Sequence, residues 1–176
     1  MPVPFIIAWL FFLFHYRKNK KLEWLVLSGL FLGASFYTYK GMRAITPVWV
    51  VLTAASLIRD RKSLLVFCLT VAPFFLAIPL LERFYAGAVL GGSSPGFNNV
   101  YDFLLPYLSS FDISYLFIKG DINELHSTGR HGMLLLASLP LILSGIYAAV
   151  RSKDQSLKFI VIALLAGPLL FGLVGS

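Results

Sequence analysis

The chain predicts an all-α, polytopic transmembrane helical bundle of about six spans with one long extracytoplasmic loop, and three observations predict it. Hydrophobic residues make up 58% of the 176 and charged residues 13%, with a mean hydropathy of +0.80, which is outside the usage of soluble domains. The apolar residues fall into long runs close to the ~20 residues that a helix needs to cross hydrocarbon. The cations sit in the breaks between those runs.

The runs are Pro2 to Tyr16, Leu22 to Tyr39, Ala44 to Ile58, Ser63 to Leu81, Met133 to Val150 and Phe159 to Val174. The first and third are short and would draw on flanking residues. The pair between Leu22 and Ile58 also admits a re-entrant arrangement with Lys40 to Arg43 at its tip, beside the preferred reading of six separate spans. Pro73, Pro79, Pro140 and Pro168 lie within the runs. Membrane helices tolerate proline because neighbouring groups satisfy the freed carbonyls, so kinks rather than loops are expected there.

This gives four helices over residues 1–81, an extracytoplasmic loop with short interfacial helices over 82–132, and two helices over 133–176. The Lys and Arg count orients them. Ten cations fall on one side (Arg17, Lys18, Lys20, Lys21, Arg59, Arg61, Lys62, Arg151, Lys153, Lys158) and five on the other (Lys40, Arg43, Arg83, Lys119, Arg130). The richer side marks the cytoplasm, which places a multi-pass protein in the cell membrane with its long loop outside. The net charge of +7 is explained by this clustering, and nucleic acid is not an expected partner. Met1 opens directly into an apolar run and Ser176 follows another, the pattern expected of a piece of a longer chain.

Cys68 is the single cysteine and lies in an apolar run, so neither a disulfide framework nor a paired-thiol metal site is expected. In the second run, Gly29 and Gly33 form a small-xxx-small pair that lets helices approach closely. Its end, Phe36 to Arg43, gathers aromatics with Lys40 and Arg43. On a continuing helix Phe36, Tyr39 and Arg43 would share one face. Interfacial anchoring explains this group. So does a site in which Lys40 and Arg43 hold a lipid-linked phosphate and Tyr37 or Tyr39 lines a head-group pocket.

The long loop divides in two. Leu90 to Asn99 is rich in turn residues, and Val100 to Ile118 alternates aromatic and apolar residues with Asp102 and Asp112, as short helices lying on a membrane would. Lys119 to His131 then gathers acceptors and donors. Asp121, Glu124, His126 and His131 have no strong metal-ligand spacing, so no metal site is assigned. A hydrogen-bonded loop end preceding the next helix and a substrate-contacting loop are both open, with Asp121 and His126 the leading candidates for contact.

The stretch Ser28 to Tyr39 followed by Arg43 resembles the Gly-Leu-x-x-Gly-x-x-x-Tyr-Thr-Tyr helix end of the polytopic GT-C glycosyltransferases, the group containing dolichyl-phosphate-mannose protein mannosyltransferases and lipid A aminoarabinose transferases. Gly120, Asp121, Asn123, His126, Gly132 and the stretch Leu139 to Gly145 are similar, in order, to a downstream loop and helix of the bacterial and archaeal relatives. Leu125 stands where that pattern has a basic residue. The resemblance runs from about Leu22 to Ser176. It implies transfer of a sugar from a polyprenyl-phosphate donor to an acceptor glycan, lipid or protein on the extracytoplasmic side. An acidic residue of the first outer loop would act as base while cations stabilise the leaving phosphate. That acid is expected upstream of this stretch, so no catalytic residue is assigned and the chain alone is expected to be inactive. The resemblance implies Lys40, Arg43 and Arg83 as donor-phosphate ligands, and Tyr37, Tyr39, Asp121, Asn123, His126 and Arg130 as substrate contacts. No cofactor is assigned, and members of the group differ in their use of a divalent metal.

Two other classes compete. A transporter or channel segment would carry charges near the centres of its spans, and none of the six apolar cores has an Asp, Glu, Lys or Arg there. A noncatalytic membrane scaffold would use its outer loop to bind a protein partner.

Overall fold

The computed structural model describes residues 2–39, 41–85, 99–120, 132 and 134–169. These are helical, with no strand among the described residues. The chain divides into two compact units, Met1–Ser94 and Pro95–Ser176.

The first unit holds α1 (Val3–Asn19), α2 (Leu22–Ser35), α3 (Met42–Leu57) and α4 (Arg61–Phe84). The expected runs therefore appear as helices, with their ends displaced by a few residues. Asp60 starts α4: its side chain accepts from the Ser63 amide at 3.3 Å, filling one of the donors a helix N-terminus leaves open. At the end of α1, Lys20 adopts a left-handed conformation (φ 57°) and its amide donates to the Tyr16 carbonyl at 2.7 Å.

α2 is the central strut, packed against α1 and α4, with α3 lying against both α2 and α4. Its small residues make this approach feasible. Both Gly29 and Gly33 are buried against α4, where a Cβ added at Gly33 would lie 2.7 Å from Cγ of Phe74 and one at Gly29 would meet Thr70 at 3.0 Å. Rings fill the wider gaps: Trp9 of α1 stacks on Trp49 of α3 with centroids 5.3 Å apart, and Phe12 stacks on both Trp24 and Phe31 of α2. Ser28, Ser35, Thr46 and Thr53 are fully buried, but each hydroxyl has a partner. Ser28 donates to the Trp9 carbonyl at 3.1 Å, Thr53 donates to the Trp49 carbonyl, and Ser35 shares a 3.2 Å bond with Thr46 across α2 and α3. Small residues and hydroxyls at helix contacts suit an apolar surrounding, where close packing and interhelical hydrogen bonds replace the hydrophobic drive.

α4 is long and apolar enough to cross a membrane, and only 11% of its apolar window is buried. Its 24 residues reach about 36 Å at 1.5 Å per residue, enough for a ~30 Å hydrocarbon layer. Leu65, Leu69, Leu76 and Leu80 are all more than half exposed, unlike side chains on the core helix of a soluble domain. The helices with 14 residues (α2) and 16 residues (α3) are apolar but shorter.

The second unit holds α5 (Val100–Ser109), a π-helical turn (Ser114–Ile118), a short 3-10 turn (Leu136–Ser138), α6 (Leu139–Arg151) and α7 (Gln155–Ala166). α5 falls in the segment expected to form short helices, and the Asp102 carboxylate accepts from the Asn99 amide at 3.2 Å at its start. Tyr107 donates to the Leu165 carbonyl at 3.2 Å and so ties α5 to α7.

The prolines divide into two groups. Pro73 and Pro79 lie inside the continuous α4, as expected. Pro140 instead sits at the first positions of α6, and α7 stops at Ala166, two residues before Pro168. Pro140 thus marks an element boundary rather than an internal kink, and Pro168 lies in the two-residue turn after α7. A proline that lacks an amide is accommodated without loss in the first helical turn, and it disfavours continuation of a helix through its predecessor.

Candidate functional site

The connection between α2 and α3 carries the leading residues. A helix running from Phe36 through Arg43 would place Phe36, Tyr39 and Arg43 on one face. The chain turns instead: α2 stops at Ser35 and α3 begins at Met42. The Thr38 hydroxyl donates to the Ser35 carbonyl at 2.7 Å, and the Met42 amide donates to the Tyr39 carbonyl at 2.9 Å. Side-chain hydroxyls that capture helix-end carbonyls offer the backbone an alternative to further helix. Phe36 is consequently buried against Phe75 while Tyr39 is 61% exposed, so the expected shared face does not form.

Tyr37 sits between these two extremes. Its hydroxyl donates to the Phe74 carbonyl of α4, and its ring lies against the Phe74 ring with centroids 6.4 Å apart. The Tyr37 proton is thereby committed to holding the α2 end on α4. Arg43, in the first turn of α3, is half-buried and its charge reaches the Tyr37 hydroxyl. Tyr37, the exposed Tyr39 and Arg43 thus all belong to the connection between α2 and α3 and the first turn of α3.

Arg83 is exposed in the last turn of α4. It follows Phe74 by nine residues, or about 13 Å along the helix axis, and so stands well beyond the level of the Tyr37 hydroxyl. Lys40, Asp121, Asn123, His126 and Arg130 lie outside the described residues. No group of three or more His, Cys, Asp or Glu able to hold a metal occurs among the described residues.

The two ends of the polar loop segment are described, and both are shaped by glycine. Gly120 has φ 74°, a conformation that costs a non-glycine residue about 1–2 kcal/mol. Gly132 lies on the π-helical turn, where an added Cβ would fall well inside 3.0 Å of the Leu116 carbonyl oxygen and the Phe117 backbone. The Leu134 amide then donates to that same Leu116 carbonyl at 2.7 Å. Gly132 and Leu134 therefore both contact the turn at 116–117 that leads to Gly120.

A second cluster joins the opposite end of the first unit. The Tyr16 hydroxyl of α1 bonds Ser63 and donates to Asp60 Oδ2 at 3.3 Å, and the Ser63 hydroxyl also donates to Asp60 Oδ2. These bonds, those from Ser63 foremost, hold the Asp60 carboxyl below the usual carboxylate range. Reading the residues in sequence missed this cluster, although Asp60 three positions before Ser63 and ahead of an apolar run is a helix-start signal.

Comparisons with protein-family models, with curated proteins and with solved structures find no match to the chain.

Proposed function

We propose that the chain is part of a multi-pass membrane glycosyltransferase that takes a sugar from a polyprenyl-phosphate donor on the extracytoplasmic side. The observation that carries this reading is the half-buried Arg43 in the first turn of α3, at the connection from α2 that also carries the exposed Tyr39. That turn is at the end of the first unit remote from the cation-rich Asp60 connection, because α3 runs from one to the other. A half-buried guanidinium at the surface of an apolar helix packet is suited to a phosphate, to which it offers paired donors. The long exposed stretch of α4 beyond Phe74 supplies an apolar wall of the kind a polyprenyl tail would lie along.

On this reading Arg43 and Lys40 neutralise the donor phosphate and stabilise it as leaving group. Tyr39 faces the head group, and Tyr37, whose hydroxyl is given to the Phe74 carbonyl, holds the end of α2 rather than donating to the donor. The resemblance to the GT-C group assigns Asp121, Asn123, His126 and Arg130 to contacts with the sugar or acceptor. The acid that deprotonates the acceptor comes from elsewhere in the intact enzyme. A channel or transporter is less well supported: the buried polar side chains of the described residues are hydroxyls (Ser28, Ser35, Thr46, Thr53, Ser63), and ion or substrate paths normally place ionisable groups within the spans.

The test is binding of undecaprenyl phosphate and undecaprenol to the detergent-solubilised chain. The phosphate form is expected to bind more tightly than the alcohol. Replacing Lys40 and Arg43 together by Gln should abolish that preference while insertion and melting temperature hold. Equal binding of the two lipids to the unaltered chain would refute the proposal.

A further inference from the structure

The Tyr16, Asp60 and Ser63 cluster brings two basic connections to one place. It joins the end of α1 to the start of α4, so the α1–α2 connection with Lys18, Lys20 and Lys21 lies beside the α3–α4 connection with Arg59, Arg61 and Lys62. All six of these cations are exposed. Asp60, the one acid of the α3–α4 connection, has its oxygens engaged by Ser63 and Tyr16. The Lys20 ammonium lies 5.5 Å from the centre of the Tyr16 ring, inside cation–π range, which keeps that charge over the junction.

Two turns into each helix from the cations, exposed side chains are apolar. Leu65 and Leu69 of α4 are 59% and 65% exposed, and Phe11 of α1 is 58% exposed. At 1.5 Å per residue they lie within about 12 Å of the helix ends. Cations above exposed aliphatic and aromatic side chains match the order of parts in a phospholipid, with its charged head group above acyl chains. A free phosphate or a nucleic acid would use the cations and leave the apolar step unused.

We propose that the two basic connections together form a binding surface for an anionic phospholipid, with its head group between them and its chains along Phe11, Leu65 and Leu69. The inference rests on the membrane reading of the chain and not on sugar transfer. It concerns the end of the unit remote from Arg43, so loss of one activity leaves the other measurable.

The experiment is native mass spectrometry of the chain in detergent, comparing adducts with dioleoylphosphatidylglycerol and dioleoylphosphatidylcholine, which share acyl chains and differ in head-group charge. A preference for the glycerol lipid of roughly tenfold or more is expected, since each cation near an anionic head group contributes measurably. Replacing Lys18, Lys20 and Lys21 by Gln, or Arg59, Arg61 and Lys62 by Gln, should each bring the ratio towards one. Lys119→Gln, in the other unit, should leave it unchanged. Replacing the three lysines by Arg should retain the preference, which separates charge from a folding defect. Equal adducts in the unaltered chain, a preference that survives either triple Gln replacement, its loss in the Arg variant, or full displacement by excess inorganic phosphate would each overturn the proposal.

Discussion

The two units are built from equally apolar helices and bury them very differently. In the first, α2 alone has Leu25, Ser28, Gly29, Leu32, Gly33 and Ser35 buried, whereas in the second α6 buries Ala149, α5 buries no residue and α7 buries Phe159, Ala163 and Ala166. Hydrophobicity does not account for the contrast, because Leu141, Leu143 and Val150 of α6 are as apolar as anything in α2 and remain more than half exposed. Helix surface shape does. α2 presents Gly29 and Gly33 to α4 and lets the two backbones approach, and Ser28 and Ser35 bond across to α1 and α3. In an apolar solvent, steric fit and hydrogen bonds order helices more than apolar surface can.

The sharpest way to break this contrast is Gly33→Leu. The isobutyl group would enter the space of the Phe74 ring, which is itself fixed by the contact of Tyr37 with both its ring and its carbonyl. Overpacking normally costs 1–3 kcal/mol, and here about 3 kcal/mol or more is expected because the neighbour lacks freedom to move. Thermal melting in detergent should fall accordingly. An unchanged melting temperature would mean that α2 and α4 do not depend on close approach. The corresponding change in the second unit is Gly132→Ala, where the added methyl meets Leu116 and Phe117 backbone. A cost of about 1–3 kcal/mol is expected, read as faster amide exchange at Leu134, whose amide donates to the Leu116 carbonyl.

Tyr16→Phe comes next. It removes one hydroxyl from the link between α1 and α4 and leaves the buried Ser63 and the exposed Asp60 with fewer partners, for an expected loss of about 1 kcal/mol. The same link predicts an acid limb. Folding holds the Asp60 carboxyl below its ordinary range, so the unfolded chain takes up a proton first as pH falls. The stabilisation is therefore complete above the unfolded value of about 4, and it fades as pH drops through the folded value. Asp60→Asn should flatten the melting temperature between about pH 5 and pH 3. A variant with the same acid slope as the unaltered chain would remove Asp60 as its source.

How much of this was legible in the sequence follows the range of the interaction involved. Local signals did well: the four apolar runs of the first unit are helices and the last two each contain one, Pro73 and Pro79 sit inside α4, and Gly29 and Gly33 lie at a helix contact. The identity of the partner was not legible, since Phe74 is 41 positions from Gly33 and no periodicity specifies which helix a small face will meet. The link from Tyr16 to Ser63 spans 47 positions and escaped for the same reason. At the candidate site, the residue pattern drew attention to Tyr37, Tyr39 and Arg43, and the connection between α2 and α3 holds them in three different settings: Tyr37 bonded to the Phe74 carbonyl, Tyr39 exposed and Arg43 half-buried. The supposed common face failed because Thr38 and Ser35 end the helix through hydrogen bonds, a competition that a face drawn on an assumed helix leaves out.

The smallest effect gives the control for the whole contrast. Gly145 lies in the interior of α6, and an added Cβ there meets nothing within 4 Å. It has the same residue type as Gly33 and a similar apolar setting, but no neighbour to obstruct. Gly145→Ala should therefore follow helix propensity alone and raise stability by about 0.5–1 kcal/mol, since alanine leaves less backbone freedom to lose. Melting measured beside Gly33→Ala isolates the contact term: the two substitutions add the same methyl to the same kind of backbone, and opposite signs are expected. If Gly145→Ala also destabilises, the α6 glycine faces a neighbour as the α2 glycine does, and the difference in burial between the units is smaller than the described contacts indicate.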